Sequence, residues 1–129
     1  FSLKQRWHIV RIDRQACQQQ CRLDIRQMKQ LINIRQTEKN RIDAVFIVLA
    51  LDESSVQLAL AEQHFSGTVL TASSKKISTI LAHLSNRKID SARAIVDPNG
   101  VLPLYYPSKD WPIALNKDLK KLMKQSQIG

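Results

Sequence analysis

The only two cysteines of the chain stand as Cys17-Gln18-Gln19-Gln20-Cys21. They come shortly after the strand-like run Trp7-His8-Ile9-Val10-Arg11-Ile12 and open the amphipathic stretch from Arg22 to Arg35. That order places a thiol pair at the first turn of a helix entered from a buried strand. Residues four apart on a helix share one face, with Cβ atoms roughly 5–6 Å apart. Cys17 and Cys21 can therefore close a disulfide, or present two thiolates to one soft ion. Copper(I) suits the second use, because it favours soft sulfur ligands.

The two sulfurs are not equivalent. Cys21, Ile25, Met28 and Ile32 fall at i, i+4, i+7 and i+11, so Cys21 belongs to the buried stripe of its helix. Cys17 lies at or just before the helix start, where unpaired N–H groups and the positive end of the helix dipole favour a thiolate. Arg14 stands close in sequence and adds positive charge. Cys17 is the candidate attacking or first-binding thiol, and Cys21 the resolving one. The three histidines are weaker candidates as a further ligand. His8 lies in the first strand and is expected near the thiols, His64 at a helix end, and His83 off the buried stripe of its helix. Two thiols without adjacent histidines fall short of a four-ligand zinc pattern. Three glycines in the whole chain exclude a glycine-rich phosphate loop, and no Ser/His/Asp arrangement is recognisable.

The elements that must position the thiols alternate along the chain. The first strand spans about Trp7 to Ile12 and the first helix about Gln18 to Gln36. Ala44-Val45-Phe46-Ile47-Val48-Leu49-Ala50-Leu51 is continuously apolar, as a strand covered on both faces would be. Asp52 is positioned to cap a second helix that ends near His64, with Ser54 and Ser55 in its first turn. A short strand, Gly67 to Thr71, follows. Ile77, Ile80, Leu81 and Leu84 then define the stripe of a third helix, capped by Ser73 or Ser74. Ala92 to Val96 and Val101 to Tyr106 flank Asp97-Pro98-Asn99-Gly100, a hairpin signal. Pro103 puts the last strand at a sheet edge. A closing helix buries Leu115, Leu119, Leu122 and Met123. Trp7, Trp111, Tyr105 and Tyr106 are expected to pack at the sheet ends. The order β-α-β-α-β-α-β-β-α predicts an α/β three-layer sandwich with a mixed central sheet and a C-terminal β-hairpin plus helix.

At 129 residues, 43% hydrophobic and 24% charged, residues 1–129 make one domain able to bury a core of its own. The net charge of +9 raises nucleic acid as a partner. The basic groups, however, sit on two helix faces, Arg22/Arg26/Lys29 and Lys117/Lys120/Lys121/Lys124, without aromatic residues on which bases could stack. A solvated face, or one that meets an acidic protein or an anionic membrane surface, is the expected meaning, and no nucleic acid is expected. The apolar run 44–51 is too short to span a bilayer as a helix. Because the chain starts at Phe1 without a secretory signal, it is expected to be the soluble ectodomain of a longer, membrane-anchored protein.

The layout is thioredoxin-like. Together with Cys17-xxx-Cys21, the strand Val45-Phe46-Ile47-Val48-Leu49, and Ile95-Val96-Asp97-Pro98-Asn99-Gly100, it resembles the Sco/SenC family. Leu104-Tyr105-Tyr106-Pro107, Asp118-Leu119-Lys120-Lys121-Leu122 and the final Ile128-Gly129 resemble a proteobacterial group of membrane-anchored, Sco-like proteins associated with cytochrome c oxidase assembly. The resemblance implies a thioredoxin fold and handling of Cu(I), reduction of partner thiols, or both, through Cys17 and Cys21. It implies an oxidase subunit or another assembly factor as partner, and the periplasmic face of the inner membrane as location. Three features differ from these parents. All three residues between the cysteines are glutamine. The stretch Lys88-Ile89-Asp90-Ser91-Ala92-Arg93 lacks the histidine that Sco proteins supply there, and no proline precedes the corresponding strand. A thiol–disulfide oxidoreductase without copper, or a docking module that keeps the fold, are the alternatives.

Overall fold

The computed structural model describes residues 6–13, 16–35, 41–48, 54–71, 91–98, 104–106 and 110–125. Strand β1 (Trp7–Asp13) leads to helix α1 (Gln19–Ile34), β2 (Ile42–Val48), α2 (Ser54–Glu62) and β3 (Thr68–Thr71). After these come β4 (Ser91–Val96), β5 (Leu104–Tyr105) and a last helix, α3 (Trp111–Gln125). The five strands form one sheet in the order β3-β2-β1-β4-β5. β1 runs parallel to β2, and β2 to β3, while β4 is antiparallel to both β1 and β5. This is the mixed α/β sheet expected from the alternation of elements. β5 lies at an edge, as Pro103 predicts, although Pro103 itself falls outside the described residues, as do Asp52 and the stripe 77–84.

Every residue of β1 is buried, and so is every residue of β2 except Asp43. Strands alternate sides. Trp7 and Ile9 of β1, Ile42, Ala44, Phe46 and Val48 of β2, and Ile95 of β4 join one core with the inner stripes of α1, α2 and α3. The residues between them, His8, Val10, Ile12, Val45, Ile47, Ala94 and Val96, are also at most 2% exposed. Both faces of the central strands are therefore covered, which accounts for their unbroken apolar run.

Several element ends differ from expectation by a residue or two. α1 starts at Gln19, and its buried stripe is Cys21, Asp24, Ile25, Met28 and Leu31, with Ile32 only partly buried. A carboxylate thus sits in the stripe. α2 ends at Glu62. His64 follows with a left-handed φ of 51°, its N–H bonded to the Ala61 carbonyl and the Phe65 N–H to that of Leu60. That pairing is a Schellman stop, which satisfies carbonyls the helix leaves open. Trp7 and Trp111 are buried as expected.

Candidate functional site

The thiols belong to the junction where β1 hands over to α1. Gln18 is the N-cap of α1, in extended conformation (φ −117°) and with no side-chain cap bond. Cys17 therefore lies just outside the helix and Cys21 is its third residue. Their Cα atoms are 5.2 Å apart and their sulfurs are joined in a disulfide. Both are nearly buried, Cys17 at 6% exposed and Cys21 at 3%. No N-cap side chain takes up the N–H groups of the first turn of α1, which begins two residues after Cys17 and contains Cys21. A second helix start meets the same place. The Cys17 N–H donates to Ser55 Oγ at 2.9 Å, in the first turn of α2. Both helix N-termini, with their partial positive charge, border Cys17.

Beneath Cys21 lies a buried ionic cluster. Asp13, the last residue of β1, has Oδ2 3.8 Å from Cys21 Sγ. Arg11, two residues earlier and so on the same face of β1, donates to both Asp13 oxygens at 3.0 and 2.9 Å. Asp24, one helical turn after Cys21, is fully buried. It accepts from Arg93 Nε at 2.7 Å, from Trp111 Nε1 at 2.9 Å and from Gln20 Nε2 at 2.9 Å. It also pairs with Arg93 Nη2 at 2.6 Å and with Arg11 Nη1. Arg11 and Arg93 are direct cross-strand partners of β1 and β4, and Arg93 also lies over the Trp111 ring at 5.8 Å. Two adjacent guanidinium groups are tolerable in an interior only when carboxylates balance them, and Asp13 and Asp24 do so. Burial pushes the Asp13 carboxyl above its ordinary value, with Arg11 opposing the shift. Burial likewise lowers the proton affinity of Arg11 and Arg93.

The other sequence candidates disperse. His8 is fully buried, but it alternates to the sheet face opposite Arg11 and Asp13 and sits at the far end of β1. The expectation that it lies near the thiols is corrected. The period-two alternation of a strand separates an even-numbered residue from the odd-numbered face. His64 closes α2 at the end away from Ser55, in its Schellman stop. His83 and Arg14 lie outside the described residues. Among the described residues no group of three or more His, Cys, Asp or Glu could hold a metal ion. The basic face expected on α1 is partly used internally. Arg22 pairs with Glu62 at 3.8 Å and Lys29 donates to the Gln63 carbonyl at 2.6 Å, tying α1 to α2.

The sequence alone does not assign Arg11, Asp13, Asp24, Ser55, Arg93 or Trp111 to the site, although it places Ser55 in the first turn of the second helix and Trp111 at a sheet end. A signal existed for three of them. Asp24 interrupts an otherwise apolar stripe one turn from Cys21, and Arg11 and Asp13 share the phase of Trp7 and Ile9.

Comparison with known proteins agrees with this layout. Yeast Sco1 with copper bound superposes with a TM-score of 0.67 at 12% identity, covering 96% of this chain and 82% of that one. A thiol:disulfide interchange protein from a Bacteroides species gives 0.66 at 14% identity over 97% and 78%. A thiol-disulfide oxidoreductase from Bacteroides fragilis gives 0.61 at 17% identity over 92% and 82%. At such identities the likeness is one of fold, and that fold is thioredoxin-like. No curated protein is matched by sequence. The model of one family does match, across residues 7–126, and the chain belongs to that family, the transmembrane-like, thioredoxin-like C-terminal domain.

Proposed function

We propose that this domain performs thiol–disulfide exchange through Cys17 and Cys21. The observation that carries the reading is the Cys17–Cys21 disulfide set against the uncapped first turn of α1, with a buried carboxylate beside Cys21. In the reducing direction, the Cys17 thiolate attacks one sulfur of a partner disulfide. A Cys17–partner bond forms and one partner thiolate leaves. Cys21 then gives up its proton, for which Asp13 is the acceptor within reach, and attacks Cys17 Sγ. The mixed disulfide breaks, the second partner thiol is released, and the Cys17–Cys21 disulfide forms. Two electrons pass from the dithiol to the partner. The first-turn N–H groups stabilise the Cys17 thiolate both as attacker and as leaving group.

Replacing the resolving thiol tests the scheme. Cys21→Ser should accumulate a mixed disulfide through Cys17, while Cys17→Ser should form none, as read by non-reducing electrophoresis and mass spectrometry. Failure of the wild-type dithiol to reduce any model disulfide, with no adduct in Cys21→Ser, would overturn the reading.

The three-residue spacer and the two adjacent sulfurs also favour a second reading, in which the reduced pair carries Cu(I) as cargo for oxidase assembly. The matching family's transmembrane-like description supports a location beside a membrane, with an anchor and periplasmic exposure as the Sco/SenC resemblance implies. The described part of the chain contains no helix long and apolar enough to cross a bilayer. An anaerobic Cu(I) titration of the reduced protein against Cys17→Ser/Cys21→Ser separates the two readings. One thiol-dependent copper per chain supports cargo handling, and none leaves exchange alone.

A further inference from the structure

Four of the twenty Lys and Arg residues gather on one exposed face of α3. On α3, Ile113, Lys117, Lys120, Lys121 and Lys124 stand at i, i+4, i+7, i+8 and i+11, so they form one stripe. All five are exposed, opposite the buried face of Trp111, Leu115, Leu119 and Met123. Among the described residues the four lysines make no ion pair, in contrast to Arg22 and Lys29 of α1, which are tied to α2. Of the acidic residues nearby, Asp118 is engaged by the Tyr106 hydroxyl at 2.7 Å, and Asp110 precedes the helix.

Next to the lysines the surface carries two large apolar side chains in water, Ile113 at 77% exposed and Ile34 of α1 at 75%. They line one shallow cleft between α1 and α3, together with Leu31 and Pro112. We infer that this face, the lysine stripe of α3 with Ile113 and Ile34 beside it, docks the domain onto an anionic lipid bilayer.

The side-chain chemistry selects the bilayer over a protein partner. Protein interfaces are enriched in Tyr, Trp and Arg and depleted in Lys. The stripe positions on α3 are Ile113 and four lysines, with no Tyr, Trp or Arg among them; Tyr105 and Tyr106 enter only at the neighbouring cleft beside Ile113 and Lys117. Flexible lysine stems spread point charges over a diffuse anionic surface, whereas a carboxylate cluster on a protein is better held by the planar fork of arginine. Isolated exposed isoleucines can enter the acyl boundary while the ammonium groups stay with the headgroups. Ile34 stands at the C-terminal end of α1, thirteen residues beyond Cys21, or roughly 20 Å along the helix axis. Docking here leaves the disulfide clear of the lipid. The inference does not depend on the thiol chemistry, and the Cys17→Ser/Cys21→Ser protein should dock equally well.

Co-sedimentation with vesicles tests it, using phosphatidylglycerol mixed into phosphatidylcholine and, separately, phosphatidylcholine alone. The expected result is binding to the anionic vesicles only, weakening as salt is raised. Lys117→Gln/Lys120→Gln/Lys121→Gln/Lys124→Gln should lower the partition coefficient by roughly a hundredfold or more, and Ile34→Asn/Ile113→Asn by about tenfold. All six positions are exposed, so both variants should keep the wild-type melting temperature. No binding to anionic vesicles at low salt would overturn the inference, as would binding that survives the lysine substitutions. Indifference to the isoleucine pair would reduce it to plain charge adsorption and so overturn the docked face. Capture of an acidic polypeptide such as polyglutamate, without vesicle binding, would assign the stripe to a protein partner instead.

Discussion

Tyr106 shows what a single polar atom contributes in this core. It is 7% exposed, and its hydroxyl donates to Asp118 at 2.7 Å. Burial, reinforced by Asp118, raises its pKa above the ordinary tyrosine value. The folded chain thus keeps a proton that the unfolded chain releases near pH 10, and stability must fall as pH rises above about 10. Tyr106→Phe should cost about 1.5–3 kcal/mol at neutral pH, the range for a hydrogen bond to a charged group. It should also remove this tyrosine's share of the alkaline loss. Urea unfolding at neutral and alkaline pH measures both effects. The same scale explains why the ionic cluster escaped a reading by pattern. Asp24 and Arg93 are far apart along the chain and meet only through tertiary structure, and each taken alone looks like an ordinary polar residue.

Helix stops and close approaches are matters of elements. α2 needs its Ser55 end at Cys17 and its other end turned back into β3, which the left-handed His64 accomplishes. The return passes Gly67 tightly over β2. A Cβ there would lie 2.5 Å from Phe46 Cε2 and 3.4 Å from the Ala44 carbonyl. Phe46 is fully buried and meets Phe65 edge-on at 6.4 Å between centroids, so its ring has little room to yield. Gly67→Ala should therefore destabilise the fold by about 1–3 kcal/mol, as overpacking does. A calorimetric melt checks this, and an unchanged melting temperature would show that Phe46 moves freely. The glycine's role was invisible in sequence, because what it avoids is a ring on another strand. The helices and strands themselves were legible, since apolar periods of 3.6 and 2 record which side each element buries.

At the scale of the whole molecule, the disulfide closes a very short loop, while the core, among the described residues, spans α1, α2, α3 and the sheet. The chain-entropy model assigns such a loop only about 2 kcal/mol. Reduction should thus lower the melting temperature by roughly 5–10 °C and leave a cooperatively folded protein. Loss of the near-ultraviolet circular dichroism signal on reduction would show instead that the bond holds the fold. A domain that survives loss of its disulfide can cycle it. By itself, the sequence determined the α/β alternation, the buried central strands, the edge position of the last strand, and a thiol pair at a helix start, because spacing, turn residues and β- or helix-period patterns are local quantities. Only the tertiary structure decided what surrounds the sulfurs. It set Asp13 and Arg11 beneath Cys21, joined Arg93 and Trp111 to Asp24, brought Ser55 to Cys17, and sent His8 to the far face of the sheet. Those choices depend on strand register and helix docking, through which residues distant in the chain come within hydrogen-bond reach.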